Sequence, residues 1–195
     1  MPSGMMKAAV LRQFAHALSL EDKPIPAPGP GEVLVKVCAS GLCVSDLHIQ
    51  DGMIGTVKLP YTPGHEMAGV IAETGAGVTR VKPGDHVVAA IDIVCGDCKY
   101  CRSGRTNLCT SLSRIGFERD GSHAEYCVVP AGNAFKVAPH VPFDQMTSIT
   151  DAVGCMYNAV KNRARVRPGD RVLILGTGGL GMNAIQIAKL FGAKV

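Results

Sequence analysis

The sequence predicts a mainly β domain followed by the first β-α unit of a doubly wound α/β domain. Three observations carry that expectation. Up to about residue 140, runs of four to eight β-branched and apolar residues alternate with Gly, Pro and Asp. Around residue 142 the apolar residues change to helical spacing. Further on, the apolar run RVLILG leads straight into a glycine cluster and a second helix-like stretch.

Taken in order, the expected strands are KAAVL, VLVKVCASG, AGVIAETG, VKPGDHVVAAI and AEYCVVP, with PIPAPGPGE as a turn between the first two. The stretch PFDQMTSITDAVGCMYNAVKNRARV spaces Ile149, Val153, Met156, Tyr157 and Val160 as one face of a helix. A helix is expected from near Asp144 or Thr147 to just before RPGD, with Gly154 its strongest breaker. RVLILG then reads as a fully apolar strand, and MNAIQIAKLFG as a helix stopped by Gly192. The expected domains are residues 1–143 and 144–195.

The chain has 195 residues, of which 47% are hydrophobic, enough to bury a core. Its net charge of +4 is spread along the chain with no basic block, which argues against a nucleic-acid partner. No run approaches the length of a membrane helix, and MPSGMMKAAVLRQF lacks the three-part pattern of a secretory signal, so a soluble, cytoplasmic protein is expected. With no export signal, eight cysteines of which four crowd into residues 95–109 point to metal rather than to disulfides.

The strongest local signal is CGDCKYCRSGRTNLC, which spaces Cys95, Cys98, Cys101 and Cys109 as C-x2-C-x2-C-x7-C. Four thiolates on one loop close a tetrahedron around zinc and leave no position for chemistry. An iron-sulfur cluster is the main rival, but the fourth cysteine lies too far along for that short run and no Pro follows it. A nucleic-acid zinc module is the second. Lys99, Arg102 and Arg105 lie nearby without an aromatic platform.

GLCVSDLH (41–48) and PGHEMAGVIAETGAGV (63–78) also carry donor side chains, Cys43 and His65. GTGGLG (176–181) fits G-x-G-x-x-G between a strand and a helix. In that setting Gly176 gives the tight turn, Gly178 admits a pyrophosphate, and Gly181 allows close helix–strand packing. Gly179 and Leu180 complete the loop at the helix N-terminus.

Together, in order, these motifs resemble those of the zinc-dependent medium-chain dehydrogenases, the alcohol dehydrogenase family. GHEMAGVIAETGAGV is similar to that family's zinc signature and CVSDLH to its first-ligand motif. The four-cysteine loop stands where the family carries structural zinc. The resemblance implies a GroES-like catalytic domain joined to the start of a Rossmann domain, two zincs, NAD or NADP, and a small alcohol, aldehyde or ketone substrate. It further implies Cys43, His65 and Asp151 as ligands of a catalytic zinc, with Cys155 as the alternative third ligand and Glu66 beside the metal. Ser45 and His48 resemble the family's proton path, and Asp46 would orient His65. Ser45 and Asp46 also suit a helix cap. Val44 departs from the basic residue that several members place against the pyrophosphate. Cys155 departs from a small hydroxyl residue.

HIQDGMIGTVKLPYTP is expected to border the pocket without selecting a substrate. His123, Cys38 and Cys127 are expected to be structural. The acidic residue that holds the cofactor ribose would lie past Val195, so NAD and NADP stay unseparated. Members of the family are about twice as long, which leads to the expectation of a truncated chain with little activity alone. In full length the protein would be a homo-oligomer. Two other readings stand beside it: a non-catalytic zinc- or partner-binding module, and a zinc-free quinone reductase, which Cys43, His65 and the four cysteines oppose.

Overall fold

The computed structural model describes residues 4–195; Met1 to Ser3, at the start of MPSGMMKAAVLRQF, lie outside it. The chain divides into two units, residues 1–147 and 148–195.

The first unit is built on strand β3 (Glu32–Gly41), whose residues Val33, Leu34 and Val35 are buried on both faces. It pairs antiparallel with β4 (Glu66–Thr74) on one side and β8 (Tyr126–Pro130) on the other. Strands β5 (His86–Ala89) and β9 (Ala134–Lys136) complete a five-stranded sheet in the order β8-β3-β4-β5-β9. β1 (Met5–Val10) and β2 (Ser19–Pro24) form a separate antiparallel pair. One face of the large sheet packs Val33, Val35, Met67, Ile71, Val87 and Val129 into the main core. Burying a side chain such as Ile71 stabilises the fold by about 1.5–3 kcal/mol. The other face presents Ala68 and Val88 to Met146 of the short helix α3 (Phe143–Met146).

The expected strands all form here, and β5 follows a turn at VKPGD in which Gly84 has φ +91°. The structure adds β2, β9 and a two-residue pair, β6 (Asp92–Ile93) with β7 (Ser113–Arg114). That small ladder closes the base of the loop bearing the four cysteines, which itself holds helix α2 (Lys99–Arg102) and a 3-10 turn at Thr106–Leu108. A second cluster of Leu11, Ile49, Val57, Tyr61 and Phe117 docks helix α1 (Val44–Gln50) through Ile49.

The single helix expected over 144–166 is broken. After α3 comes a 3-10 turn (Thr147–Thr150), then α4 (Ala152–Tyr157) and a π-helical turn (Asn158–Arg163). The break falls at Asp151, with φ −120° and ψ −92°, outside the helical region. Gly154, the expected breaker, lies inside α4.

In the second unit α5 (Gly179–Leu190) packs Ala184, Ile187 and Ala188 against Val160, Val172 and Ile174. Gly192 has φ +79° and ends that helix as expected. The run RVLILG, expected as a fully apolar strand, is extended but barely paired. Its one bridge is the parallel pairing of Arg171 with Lys194. Val172 and Ile174 turn inward, while Leu173 and Leu175 stay 82% and 88% exposed. The period of two is that of an extended chain covered on one face.

Among the described residues no helix is long and apolar enough to cross a membrane.

Candidate metal centres and cofactor turn

The four cysteines converge from one loop. Their sulfurs all lie within 4.8 Å of one another, with Cys98–Cys101 and Cys95–Cys109 at 3.5 Å and Cys95–Cys101 at 4.0 Å. Ligands about 2.3 Å from a tetrahedral zinc stand about 3.8 Å apart, close to these three separations. Backbone N–H groups point at the sulfurs: those of Cys95 and Ser111 donate to Cys109, and that of Cys98 to Cys95. Backbone donors from Cys101 and Thr110 bring the Cys98 thiol down to about 6. Desolvation, followed by the neighbouring sulfur of Cys98, pushes Cys101 up to about 12. Such a set strains against holding four negative charges until a cation joins it.

The second donor set is assembled by the pairing of β3 with β4. A register shift between Val37 and Ala39 brings Gly41, the last residue of β3, opposite Glu66, the first of β4. A Cβ at Gly41 would collide with the Glu66 side chain, so glycine there makes room for the carboxylate. Two residues on, Cys43 is the N-cap of α1, and its sulfur accepts from the Ser45 N–H at 3.5 Å. Asp46 closes a capping box by accepting the Cys43 N–H at 3.0 Å. The Cys43 sulfur, a His65 ring nitrogen and a Glu66 carboxylate oxygen lie within 4.8 Å of one another. His65 and Glu66 are buried and Cys43 half-buried.

Behind His65, Nδ1 stands 3.5 Å from Asp46 Oδ1. Burial alone would raise the Asp46 carboxyl. The rings of His123 and His65 and the Cys43 N–H outweigh that and hold it well below the usual carboxylate range. Asp46 thus faces His65 while its carboxylate closes the capping box of α1. On its flank the His65 ring meets Phe117 at 5.0 Å, and the Arg114 guanidinium covers Phe117 at 4.2 Å.

Ser45 sets its hydroxyl 3.5 Å from the Cys43 sulfur, and His48 follows three residues later on the same helix, exposed to solvent. Val44 is exposed as well. His123, expected to be structural, stands with its Nε2 3.8 Å from Asp46 Oδ2. Its long sequence separation from the motif left no local signal to find it by. Cys127 is buried and its thiol is pushed up to about 12 by desolvation, in keeping with a structural place; Cys38 is exposed.

In the second unit, Gly176 has φ +93°, the left-handed geometry a tight turn needs. A Cβ at Gly181 would strike the Gly176 carbonyl, so the helix approaches the turn at glycine distance. Gly178 and Gly179 face open space at the N-terminus of the 12-residue α5, and Leu180 is exposed. This is the arrangement in which backbone N–H groups and the helix dipole receive a phosphate.

Comparison with known proteins agrees with this layout. Residues 29–139 match the family of the alcohol dehydrogenase GroES-like domain. An alcohol dehydrogenase of Geobacillus stearothermophilus is 41% identical over 97% of this chain and 57% of its own. A crystal structure of an NAD-dependent alcohol dehydrogenase superposes with a TM-score of 0.92 at 36% identity, over 96% of this chain and 56% of that one. A cobalt- and zinc-bound thermostable alcohol dehydrogenase from Pyrobaculum aerophilum gives 0.90 at 36% identity, over 97% and 58%. The chain thus spans little more than half the length of the relatives it matches. On its sequence, its GroES-like sheet and these likenesses, the chain belongs to the zinc-dependent medium-chain dehydrogenase family, that of the alcohol dehydrogenases.

Proposed function

We propose that this chain supplies the metal-binding domain, residues 1–143, and the link and opening of the nucleotide domain, residues 144–195, of a cytoplasmic, homo-oligomeric alcohol dehydrogenase. The reaction is hydride transfer between a small alcohol and NAD or NADP. The observation that carries this reading is the convergence of Cys43, His65 and Glu66 from two separate motifs, with Asp46 behind His65. Two zincs belong to it. Cys95, Cys98, Cys101 and Cys109 would hold one, a structural zinc; Cys43, His65 and Asp151 would hold the other, the catalytic zinc. Asp151 is preferred to Cys155 because it is half-buried at the start of α4 and offers a carboxylate, whereas Cys155 is exposed.

When bound, zinc supplies Lewis acidity that makes an alcohol proton labile near neutral pH, and the nicotinamide accepts the hydride. The chain's own residues do the rest. Asp46 stands against His65 Nδ1 and would leave Nε2 as the nitrogen able to hold the metal. Glu66 stands ready to approach the same centre. Ser45 accepts the substrate proton and passes it towards His48, which is exposed and can deliver it to water. Phe117 shields the His65 ring from solvent. Gly176, Gly178, Gly179, Leu180 and Gly181 shape the turn that receives the cofactor pyrophosphate.

The test is alcohol-dependent reduction of NAD and NADP, by this chain alone and mixed with a polypeptide supplying the remaining strands of the nucleotide domain. Little turnover alone and restored turnover in the mixture is the expected result. Two bound zincs with no turnover in either case would instead support a non-catalytic zinc-binding module.

A further inference from the structure

Asp46 faces two histidines. One is His65, at 3.5 Å from Oδ1; the other is His123, whose Nε2 stands 3.8 Å from Oδ2. Both distances exceed a hydrogen bond and count as electrostatic contacts. His123 reaches this place from far along the chain, in the segment just before β8, 77 residues from Asp46 in sequence. Its side chain is only 11% exposed.

The ring's other nitrogen is fixed. Nδ1 lies 3.0 Å from Ser40 Oγ, and Ser40 Oγ lies 2.7 Å from Ser122 Oγ, itself buried. With Nε2–H turned to a carboxylate, Nδ1 accepts, so the Ser40 hydroxyl donates to it and the Ser122 hydroxyl donates to Ser40. The result is a directed row, Ser122 to Ser40 to His123 to Asp46.

The backbone ties the same residue to His65. The His123 N–H donates to the Pro63 carbonyl at 3.0 Å, and the Ser122 N–H donates to the Gly64 carbonyl at 2.9 Å. Gly64 has φ +99°, and a Cβ there would come within 2.6 Å of both His123 N and Nδ1. The peptide that delivers His65 is therefore seated directly on His123.

We propose that His123 is a positioning residue of the open metal centre, holding Asp46 from the side opposite His65 while its backbone seats the Gly64–His65 peptide. The proposal rests on the reading of Cys43 and His65 as metal ligands. A partner of a metal-ligating histidine is worth about 10- to 100-fold in metal affinity. His123 acts one step further out, through Asp46, and its loss is set at about tenfold on the same scale.

The experiment is zinc competition against a chromophoric chelator on the whole chain, with the four-cysteine site as internal reference. His123→Phe keeps the ring's bulk and removes its nitrogens. It is expected to weaken the open centre about tenfold and leave the four-cysteine zinc unchanged. His123→Gln, which keeps an N–H donor of similar reach, recovers most of the loss, which a purely packing role would not allow. In an Asp46→Asn background His123→Phe adds little. Ser40→Ala, which leaves the ring in place and removes its Nδ1 partner, shows a smaller loss in the same direction and stands in should His123→Phe fail to fold. Unchanged affinity in His123→Phe, or a full tenfold loss in the Asp46→Asn background, overturns the proposal. A wild-type chain that takes up only the four-cysteine zinc overturns instead the underlying reading of Cys43 and His65.

Discussion

His65 owes its place to residues with almost no side chain. Gly64, Gly116 and Gly121 pack backbone to backbone beside it, Gly64 and Gly116 with φ of +99° and +75°. A Cβ at Gly121 would strike the Gly64 carbonyl and come within 2.6 Å of the Gly116 Cα. Backbone cannot move aside as a flexible side chain does, so Gly121→Ala is expected to cost about 1–3 kcal/mol of unfolding free energy, measured by urea denaturation. A change under about 0.5 kcal/mol, the range of neutral surface substitutions, contradicts this account. Cys43, Asp46, His65 and Glu66 were singled out in the sequence because CVSDLH and GHEMAGV resemble the family's zinc motifs, and the fold brings these four side chains near one another. Gly116, Gly121 and His123 were not, because their partners lie some 50 to 80 residues away, and only the folded sheet brings them together.

The elements show what periodicity can and cannot reveal. Strands β1, β3, β4, β5 and β8 were readable from β-branched runs. β2, with the polar sequence SLEDKP, and the short β6, β7 and β9 carry no such run and exist through their partners. Of the face expected for the helix over 144–166, Val153, Met156 and Val160 pack inward while Ile149 and Tyr157 are exposed, and the helix broke at Asp151, a residue type whose side chain competes with helical hydrogen bonding.

One fastening between elements makes a pH-dependent prediction. Thr56, in the stretch between α1 and β4, donates to Glu118 at 2.6 Å, and Glu118 also binds Arg114. Burial opposes ionisation of Glu118, but Arg114 and Thr56 outweigh it and lower its pKa. A carboxyl lowered in the folded state stabilises fully above its unfolded value of about 4.3, and that contribution is lost as pH falls through the lower folded value. Unfolding free energy of the wild type should therefore fall more between pH 6 and pH 3 than that of Glu118→Gln. Parallel pH curves for the two would contradict it.

At the scale of the molecule, the first unit carries a main core beneath a five-stranded sheet and two donor sets of different kinds. The second presents a glycine turn, one long helix and the exposed Leu173 and Leu175 on a barely paired extended run. Composition correctly marked that run as apolar and extended. It could not tell how many neighbouring strands would cover it, because coverage is a property of the sheet and not of the segment. The difference between the donor sets is the centre of the account: four cysteines from one loop, and a cysteine, a histidine and a carboxylate drawn from two separate motifs, read as a closed and an open zinc site. Zinc content of the purified chain tests it most directly. Wild type is predicted to hold two zincs, Cys43→Ala one and Cys98→Ala one. A wild-type content of one, or two zincs retained in Cys43→Ala, would contradict it.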